Sequence, residues 1–384
     1  MNSQVTATDQ GHLRRALELA ERGRGRVSPN PLVGAVVVRD GEVIGEGFHA
    51  ELGGLHAERA ALADCQERGE DPVGATMYVT LEPCAHQGRQ PPCVEAVLEA
   101  GIAKVVIASE DPSEKAAGRG PGILRDGGVE VVFVAGAEAA AARLLNQAFR
   151  KHARTGLPLV TLKLAMSLDG RTSTAPGDSP WISGEQSRAL VHRWRAEADA
   201  IAAGIGTVLA DDPLLTARPS GSAVPYPGIS RQRNSATGGR RPLRVVFDSQ
   251  GRLPLDSRLL ATLDQSPVLV VTSPEADPAR VAALQDAGAE ILPAGGPSSA
   301  DRIASALADL GRRGITSLFL EGGQTLASAF ASAGQIDESR TFIAPMLLGT
   351  TKSTATESAR IAALTSQAES VGDDTLITAR FKEW

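Results

Sequence analysis

Along the first 155 residues the apolar positions switch repeatedly between the alternation and β-branched runs of strands and the three-to-four spacing of helices. Val33–Val38 is a β-branched run, Gly41 marks a turn, and Val43–Phe48 continues as a second strand. Between Ala57 and Arg68 the pattern becomes helical, with Ala60, Ala61 and Ala63 as good helix formers. Thr76–Leu81 reads as a strand, Cys93–Ala100 as a helix stopped by Gly101, and Lys104–Ala108 as a further strand. The strand–helix pair recurs at Val129–Val134 and Ala137–His152. This succession predicts a sheet with helices against it.

Gly156-Leu157-Pro158 interrupts the alanine-rich helix and precedes a new strand, Leu159–Ala165. A domain boundary is expected there, separating residues 1–155 from residues 156–384. Chain length agrees, since 384 residues hold about two domains of roughly 100–200 residues. Strands of the second series fall near Ala200–Ala203, Leu243–Phe247, Val268–Thr272, Glu290–Leu292 and Ser317–Leu320, with helices between. Residues 219–241, rich in Ser, Gly, Pro and Arg, lack apolar periodicity and read as a long mobile surface loop.

Composition narrows the class. Hydrophobic residues at 42% and charged residues at 22% exclude wholesale disorder. Aromatics are only 3%, so the cores must be aliphatic. A net charge of −6 offers no general attraction for a polyanion. No run approaches the roughly 18 apolar residues of a membrane span. The start, Met1-Asn2-Ser3-Gln4, lacks the basic-then-apolar layout of a secretory leader. Three cysteines cannot build a disulfide framework. The expectation is a cytoplasmic homo-oligomer that acts on a small molecule, with no nucleic-acid or membrane partner.

Two of the cysteines belong to a cluster with chemistry. His56-Ala57-Glu58 opens a predicted helix, Glu82-Pro83-Cys84 ends a predicted strand, and Cys93 starts the next helix. One imidazole and two thiolates suit a tetrahedral Zn2+ site whose fourth position is left to water. Zinc lowers the pKa of that water toward 7. Glu58, two residues from a ligand, is placed as general acid/base, the division of labour of zinc deaminases. Cys65 stands alone in a helical pattern and reads as a small core residue.

The whole string from Thr80 to Cys93, Thr-Leu-Glu-Pro-Cys-Ala-His-Gln-Gly-Arg-Gln-Pro-Pro-Cys, resembles the deaminase half of the bifunctional riboflavin-biosynthesis deaminase/reductase family. Asn30-Pro31-x-Val33-Gly34 and Gly53-Gly54-x-His56-Ala57-Glu58 match it too. Eight residues separate Cys84 from Cys93, where the common deaminase signature has two. Gln90 departs from the family's usual GRTPPC, and Asp111-Pro112-Ser113-Glu114 departs from its Asp-Pro-Asn-Pro. The resemblance implies an α/β chain with an N-terminal cytidine-deaminase-like zinc domain and a C-terminal dihydrofolate-reductase-like domain. It further implies hydrolytic deamination of 2,5-diamino-6-ribosylamino-4(3H)-pyrimidinone 5′-phosphate, with Asn30, His49, His86 and Arg89 lining the pocket.

The second half carries the reductase resemblance. Leu162–Arg171, Ser179-x-Trp181-Ile182-Ser183, Asp199-Ala200-Ile201-x-x-Gly204-x-Gly206-Thr207, Asp211-Asp212-Pro213-x-Leu215-Thr216-x-Arg218 and Glu321-Gly322-Gly323 follow at the family's spacing. What this implies is NADPH-dependent conversion of the ribosyl group to ribityl. Ala165, Trp181, Thr207, Asp211, Ser249 and the run Gly323, Gln324, Thr325, Leu326, Ala327, Ser328 and Ala329 would contact NADPH. Ser179, Arg195, Leu215, Arg218 and Glu321 would face the substrate, with Arg195 and Arg218 clamping its phosphate. Lys163 is implied as a further polar pocket residue. A nucleic-acid deaminase is opposed by the acidic charge, the long spacer and these reductase strings. A degenerate homologue would lack a zinc ligand or the proton shuttle, and His56, Glu58, Cys84 and Cys93 are all present.

Overall fold

The computed structural model describes residues 6–88, 90–114, 116–172, 181–217, 241–349 and 361–384. Arg89, Ser179, Arg218 and residues 219–240 of the expected loop lie outside the described residues. The described chain forms two compact units, one of residues up to Thr155 together with Trp384, the other of residues from Gly156 to Glu383. No described helix is long and apolar enough to cross a membrane.

In the first unit the order is α1 (Ala7–Glu21), β1 (Gly34–Arg39), β2 (Glu42–Phe48), α2 (Ala57–Arg68), β3 (Thr76–Val79), α3 (Cys93–Glu99), β4 (Lys104–Ile107), α4 (Arg119–Asp126), β5 (Glu130–Phe133), α5 (Ala137–Leu145) and α6 (Gln147–Thr155). The sheet runs β2-β1-β3-β4-β5, antiparallel across β2, β1 and β3 and parallel from β3 to β5. Alternate residues enter opposite cores. Ala35, Val37, Met77, Val79, Val105 and Ile107 join one cluster, while Val36, Val38, Tyr78 and Val106 join the other. Both faces are therefore covered by helices, as continuous apolar strands require. Helix α1, which the apolar pattern does not announce, begins at a capping box in which Thr6 and Asp9 bond reciprocally.

The single helix expected over Ala137–His152 is in fact two, broken at Asn146. That side chain accepts a hydrogen bond from the Leu32 amide at 2.8 Å and donates to the Leu32 carbonyl at 2.9 Å. A buried amide committed to another segment's backbone competes with helix continuation.

Helix α2 sits unusually close to β2. A Cβ on Gly47 would overlap the Ala61 amide nitrogen and the Ala57 carbonyl oxygen, and one on Gly45 would overlap the Cys65 sulfur. The helix meets these glycines with Ala57, Ala61 and Cys65, a four-residue repeat of small buried side chains. Cys65 is thus a core residue, packed as a small hydrophobe.

The second unit follows the order β6 (Leu159–Ser167), α7 (Glu185–Glu197), β7 (Ala200–Gly204), α8 (Ile205–Asp211), β8 (Leu243–Phe247), α9 (Arg258–Ala261), β9 (Val268–Thr272), α10 (Pro278–Asp286), β10 (Glu290–Pro293), α11 (Ser299–Arg312), β11 (Ser317–Glu321), α12 (Gln324–Ser332), β12 (Glu338–Ala344), β13 (Thr365–Val371) and β14 (Asp374–Arg380). Nine strands lie in the order β10-β9-β8-β7-β11-β6-β12-β14-β13. Those from β10 to β12 are parallel, and β14 and β13 add an antiparallel edge. Ala200 and Ala202 enter one core and Ile201 and Ala203 the other, so this sheet too is buried on both sides.

Gly47→Ala should destabilise the chain by about 1–3 kcal/mol, because the added methyl has only backbone to displace. Urea denaturation of the variant beside the parent checks this, and Gly11→Ala, within helix α1 and with open space at its Cβ, should show no such loss.

Candidate active sites

Three segments of the first unit converge on one cluster. His56 is the N-cap residue of α2, yet its side chain makes no capping bond, so the imidazole is free to turn outward. Cys84 lies on the loop after β3, and Cys93 is the first residue of α3. His56 Nδ1 is 3.6 Å from Cys84 Sγ and 3.4 Å from Cys93 Sγ, and the three ligand atoms all lie within 4.8 Å of one another. Tetrahedral bonds of about 2.3 Å to sulfur and about 2.0–2.1 Å to nitrogen would set S···N separations near 3.5 Å. The donor set therefore fits zinc in both chemistry and spacing.

The electrostatics agree. Hydrogen bonds from Cys93 and from His56 hold the Cys84 thiol down to about 4 despite its burial. Cys93 is pushed upward by the same bond and by burial, since two adjacent thiolates repel. A cation between them removes that conflict. Glu58, in the first turn of α2 and 3% exposed, is pushed up to about 7 by burial and then by the charge of Cys84. A carboxyl poised near neutrality suits proton transfer in both directions.

These groups open onto a cavity of about 260 Å3, far larger than the roughly 30 Å3 share of one water. Asn30 and His49 form one wall, with Asn30 Nδ2 3.1 Å from His49 Nε2. His49 Nδ1 lies 2.9 Å from the Leu55 carbonyl, which assigns the proton to Nδ1 and lets Nε2 accept from Asn30. Burial keeps that imidazole below its ordinary pKa, so it stays neutral. His86 lines the mouth and is exposed. The eight-residue spacer is tied down by Gln90, which donates to the Gly53 carbonyl at 2.9 Å, and by Arg59, which donates to the Pro92 carbonyl at 2.9 Å. Glu82, Asp111, Ser113 and Phe149 also line the cavity. The family resemblance puts the segment of Asp111 and Ser113 near the substrate without assigning either a contact, and sequence reasoning does not single out Glu82 or Phe149.

In the second unit the carboxyl ends of β6, β11 and β7 lie side by side, the place where open parallel sheets bind ligands. Glu321 is opposite Lys163 in the β11–β6 register. Arg195, from α7, grips Glu321 through Nε at 2.5 Å and Nη2 at 2.8 Å, and donates from Nη1 to the Thr216 carbonyl at 3.3 Å. Burial raises Glu321, but the charge and hydrogen bonds of Arg195, with Lys163 behind, hold it below the usual carboxylate range. Burial, and then the like charge of Arg195, drive the Lys163 pKa down against the pull of Glu321. Beyond β11, Thr207 Oγ1 accepts from the Gly323 amide at 3.2 Å, joining the start of α8 to the start of α12.

The sequence model of the RibD C-terminal domain matches residues 158–377, and that of the cytidine and deoxycytidylate deaminase zinc-binding region matches residues 6–109. The riboflavin biosynthesis protein RibD of Escherichia coli is 41% identical over 342 residues, covering 89% of each chain. That of Actinobacillus pleuropneumoniae is 40% identical over 348 residues, 91% of this chain and 86% of its own. The chain belongs to the RibD family. It is a bifunctional deaminase and reductase of riboflavin biosynthesis, with a zinc-binding deaminase region and a reductase domain. Among solved RibD structures, that from Acinetobacter baumannii superimposes with a TM-score of 0.81 at 37% identity, covering 97% of this chain and 98% of its own. The diaminohydroxyphosphoribosylaminopyrimidine deaminase/5-amino-6-(5-phosphoribosylamino)uracil reductase from Thermotoga maritima gives 0.80 at 34% identity, covering 98% and 99%.

Some of the RibD-like positions expected at the reductase site sit differently from the simplest picture. The Arg195 fork that a phosphate would take is engaged by Glu321. Leu215 has φ 48° and its side chain is 2% exposed among Ile201, Val208 and Val246, so only its main chain can face a ligand. Ala327 likewise points into the core, whereas Gly323, Gln324 and Thr325 are exposed at the start of α12. Trp181, Asp211 and Ser249 are exposed, with the Arg188 guanidinium 4.9 Å from the Trp181 ring centre; Ala165, Leu326, Ser328 and Ala329 are half-buried.

Cys84→Ser should lose most of the zinc that the parent carries at about one atom per chain, because a hydroxyl is a far poorer ligand than a thiolate. Metal analysis of the purified proteins decides it, and full zinc content in the variant would remove Cys84 from the ligand set.

Proposed function

We propose that the chain hydrolyses the amine from 2,5-diamino-6-ribosylamino-4(3H)-pyrimidinone 5′-phosphate and then reduces the ribosyl group of the product to ribityl with NADPH. One observation carries this reading: a His56–Cys84–Cys93 donor set with a buried acid beside it shares a chain with a RibD C-terminal domain. In the first step water adds at the ring carbon bearing the amine, ammonia leaves, and a carbonyl remains. Zinc held by His56, Cys84 and Cys93 supplies Lewis acidity that brings the pKa of water toward neutrality. Glu58 takes the proton from that water and returns it to the departing nitrogen. Neutral His49 holds the Asn30 amide in place, leaving the Asn30 Oδ1 and its second N–H to make directional hydrogen bonds to the polar edge of the substrate. His86 at the mouth is suited to its ribose phosphate.

In the second step the ribosylamine opens to an imine as the bond from C1′ to the ring oxygen breaks and that oxygen takes the proton from nitrogen. A hydride then passes from NADPH to C1′ and a proton reaches the nitrogen, leaving the ribityl chain. The exposed start of α12 and Thr207 suit the phosphates of the dinucleotide, since unpaired helix amides favour anions. Glu321, held ionised by Arg195 and facing Lys163, suits the hydroxyls of the sugar. On this reading Arg195 positions Glu321, and phosphate recognition falls to Arg218.

Purified protein incubated with the diaminopyrimidine should release ammonia without a nicotinamide, and should add two hydrogens to the product only when NADPH is supplied. Mass analysis of the products, with NADH as the comparison, tests both steps and the choice of cofactor. Glu58→Gln should keep its zinc and lose about a hundred- to ten-thousand-fold in ammonia release. Arg195→Lys should lower reductase kcat/KM about ten- to hundred-fold, as expected for one charged hydrogen-bond pair, and leave ammonia release unchanged.

A further inference from the structure

Helix α4 starts without a cap of its own. Its N-cap residue is Gly118, at φ 75°, and no local side chain bonds the free amides of its first turn. The Arg119 amide bonds the neighbouring Ala116 carbonyl at 2.8 Å, whereas the N-cap amide is served from elsewhere. Glu82 Oε1 accepts from the Gly118 amide at 2.8 Å. Glu82 Oε2 accepts from the Asp111 amide at 3.4 Å, while the Glu82 amide itself donates to the Ser109 carbonyl at 2.9 Å. One carboxylate, 4% exposed, therefore holds both ends of the segment from 111 to 118. The fit is tight: a Cβ on Gly120 would overlap the Pro83 carbonyl oxygen.

The segment so held carries Asp111 and Ser113 to the cavity that also contains Glu58 and Cys84. Asp111 accepts from the Ser113 amide at 2.8 Å, so moving one moves the other. At the outer side Arg150 binds Glu110 at 2.6 Å and Ser109 Oγ at 3.1 Å, which anchors the entry to the segment and leaves its helix end to Glu82. We infer that Glu82 is a positioning residue for the deaminase site, capping α4 from a distance so that Asp111 and Ser113 form a fixed wall against the substrate. The inference rests on the deaminase reading above. Neither Glu82 oxygen is directed at the metal donors by any hydrogen bond in the described structure, so its effect falls on binding and not on the proton-transfer step.

A carboxylate accepts from both these amides, whereas a carboxamide must turn its NH2 toward one of them. Glu82→Gln in the full-length protein should raise KM for the diaminopyrimidine about tenfold, with kcat within about twofold and zinc at the parent level. Backbone hydrogen exchange over residues 109–120 should speed up about tenfold, with α2 and α3 unaffected. Gly118→Ala leaves Glu82 intact but strains the same end of the segment, and it should reproduce both changes even if Glu82→Gln folds poorly. Unchanged exchange over 109–120, a fall in kcat at constant KM, or loss of zinc in Glu82→Gln would each overturn the inference. If the parent protein releases no ammonia from this substrate, the deaminase reading fails, and the exchange measurement still decides whether Glu82 holds the segment.

Discussion

The seam between α2 and β2 sets the dimensions of the deaminase site. With no side chain on Gly45 or Gly47, the helix lies on the strand at nearly backbone contact. His56 and Glu58 ride at the end of that helix, so their height above the sheet is decided by the absence of two methyl groups. Gly47 pairs with Ala35 and Ala35 with Val79, one straight line across three strands. At about 4.8 Å per strand this puts the seat of the helix roughly 10 Å from the strand that leads to Cys84. The metal donors come from segments far apart in sequence, yet their spacing inherits the regularity of the sheet. Catalytic geometry to within a fraction of an ångström needs such rigid supports.

The central strands and α2 were legible because each carries its own signal: β-branched runs bounded by turns, or a helical repeat of alanines. The donor set was legible because zinc chemistry restricts both residue type and local context. Other features left no such mark. Asn146 looks like any polar residue within a helical stretch, and only the tertiary partner Leu32 makes it a break. Helix α4 begins with glycines, usually a sign against a helix, and the acceptor for its N-cap amide, Glu82, lies far away in sequence. Strands β12, β13 and β14 are mixed in polarity, so no clean alternation announced them. Arg195 was expected at a substrate phosphate, and spacing alone could not disclose its partner Glu321, because a guanidinium donates to phosphate and carboxylate on equal geometric terms.

The departure from the family at Ser113 and Glu114 also finds a physical setting. The segment is held at Asp111 and Gly118 through main-chain amides, which are indifferent to the side chains between them. Variation inside the clamp can therefore retune the wall without moving its ends. In the reductase unit the logic is reversed. There the binding surface depends on specific charged side chains, half-buried Lys163, Arg195 and Glu321, in which Glu321 favours the charge of both cations while Arg195 disfavours that of Lys163. Replacing one of that trio disturbs the remaining two.

Asn146 has one more consequence, which concerns the order in which the chain is made. Its side-chain amide presents a donor and an acceptor in the same arrangement as a peptide group, and it meets Leu32 as a neighbouring strand would. The two residues are 114 positions apart, and Leu32 lies just beyond Asn30 on the wall of the cavity. During synthesis the zinc donors, the proton shuttle and the whole of the first sheet emerge before Asn146 does. The pocket is thus finished late, by Asn146 fastening Leu32 and by Phe149, a lining residue that follows it, and a nascent chain released before that point would carry the donors of a deaminase without its finished wall.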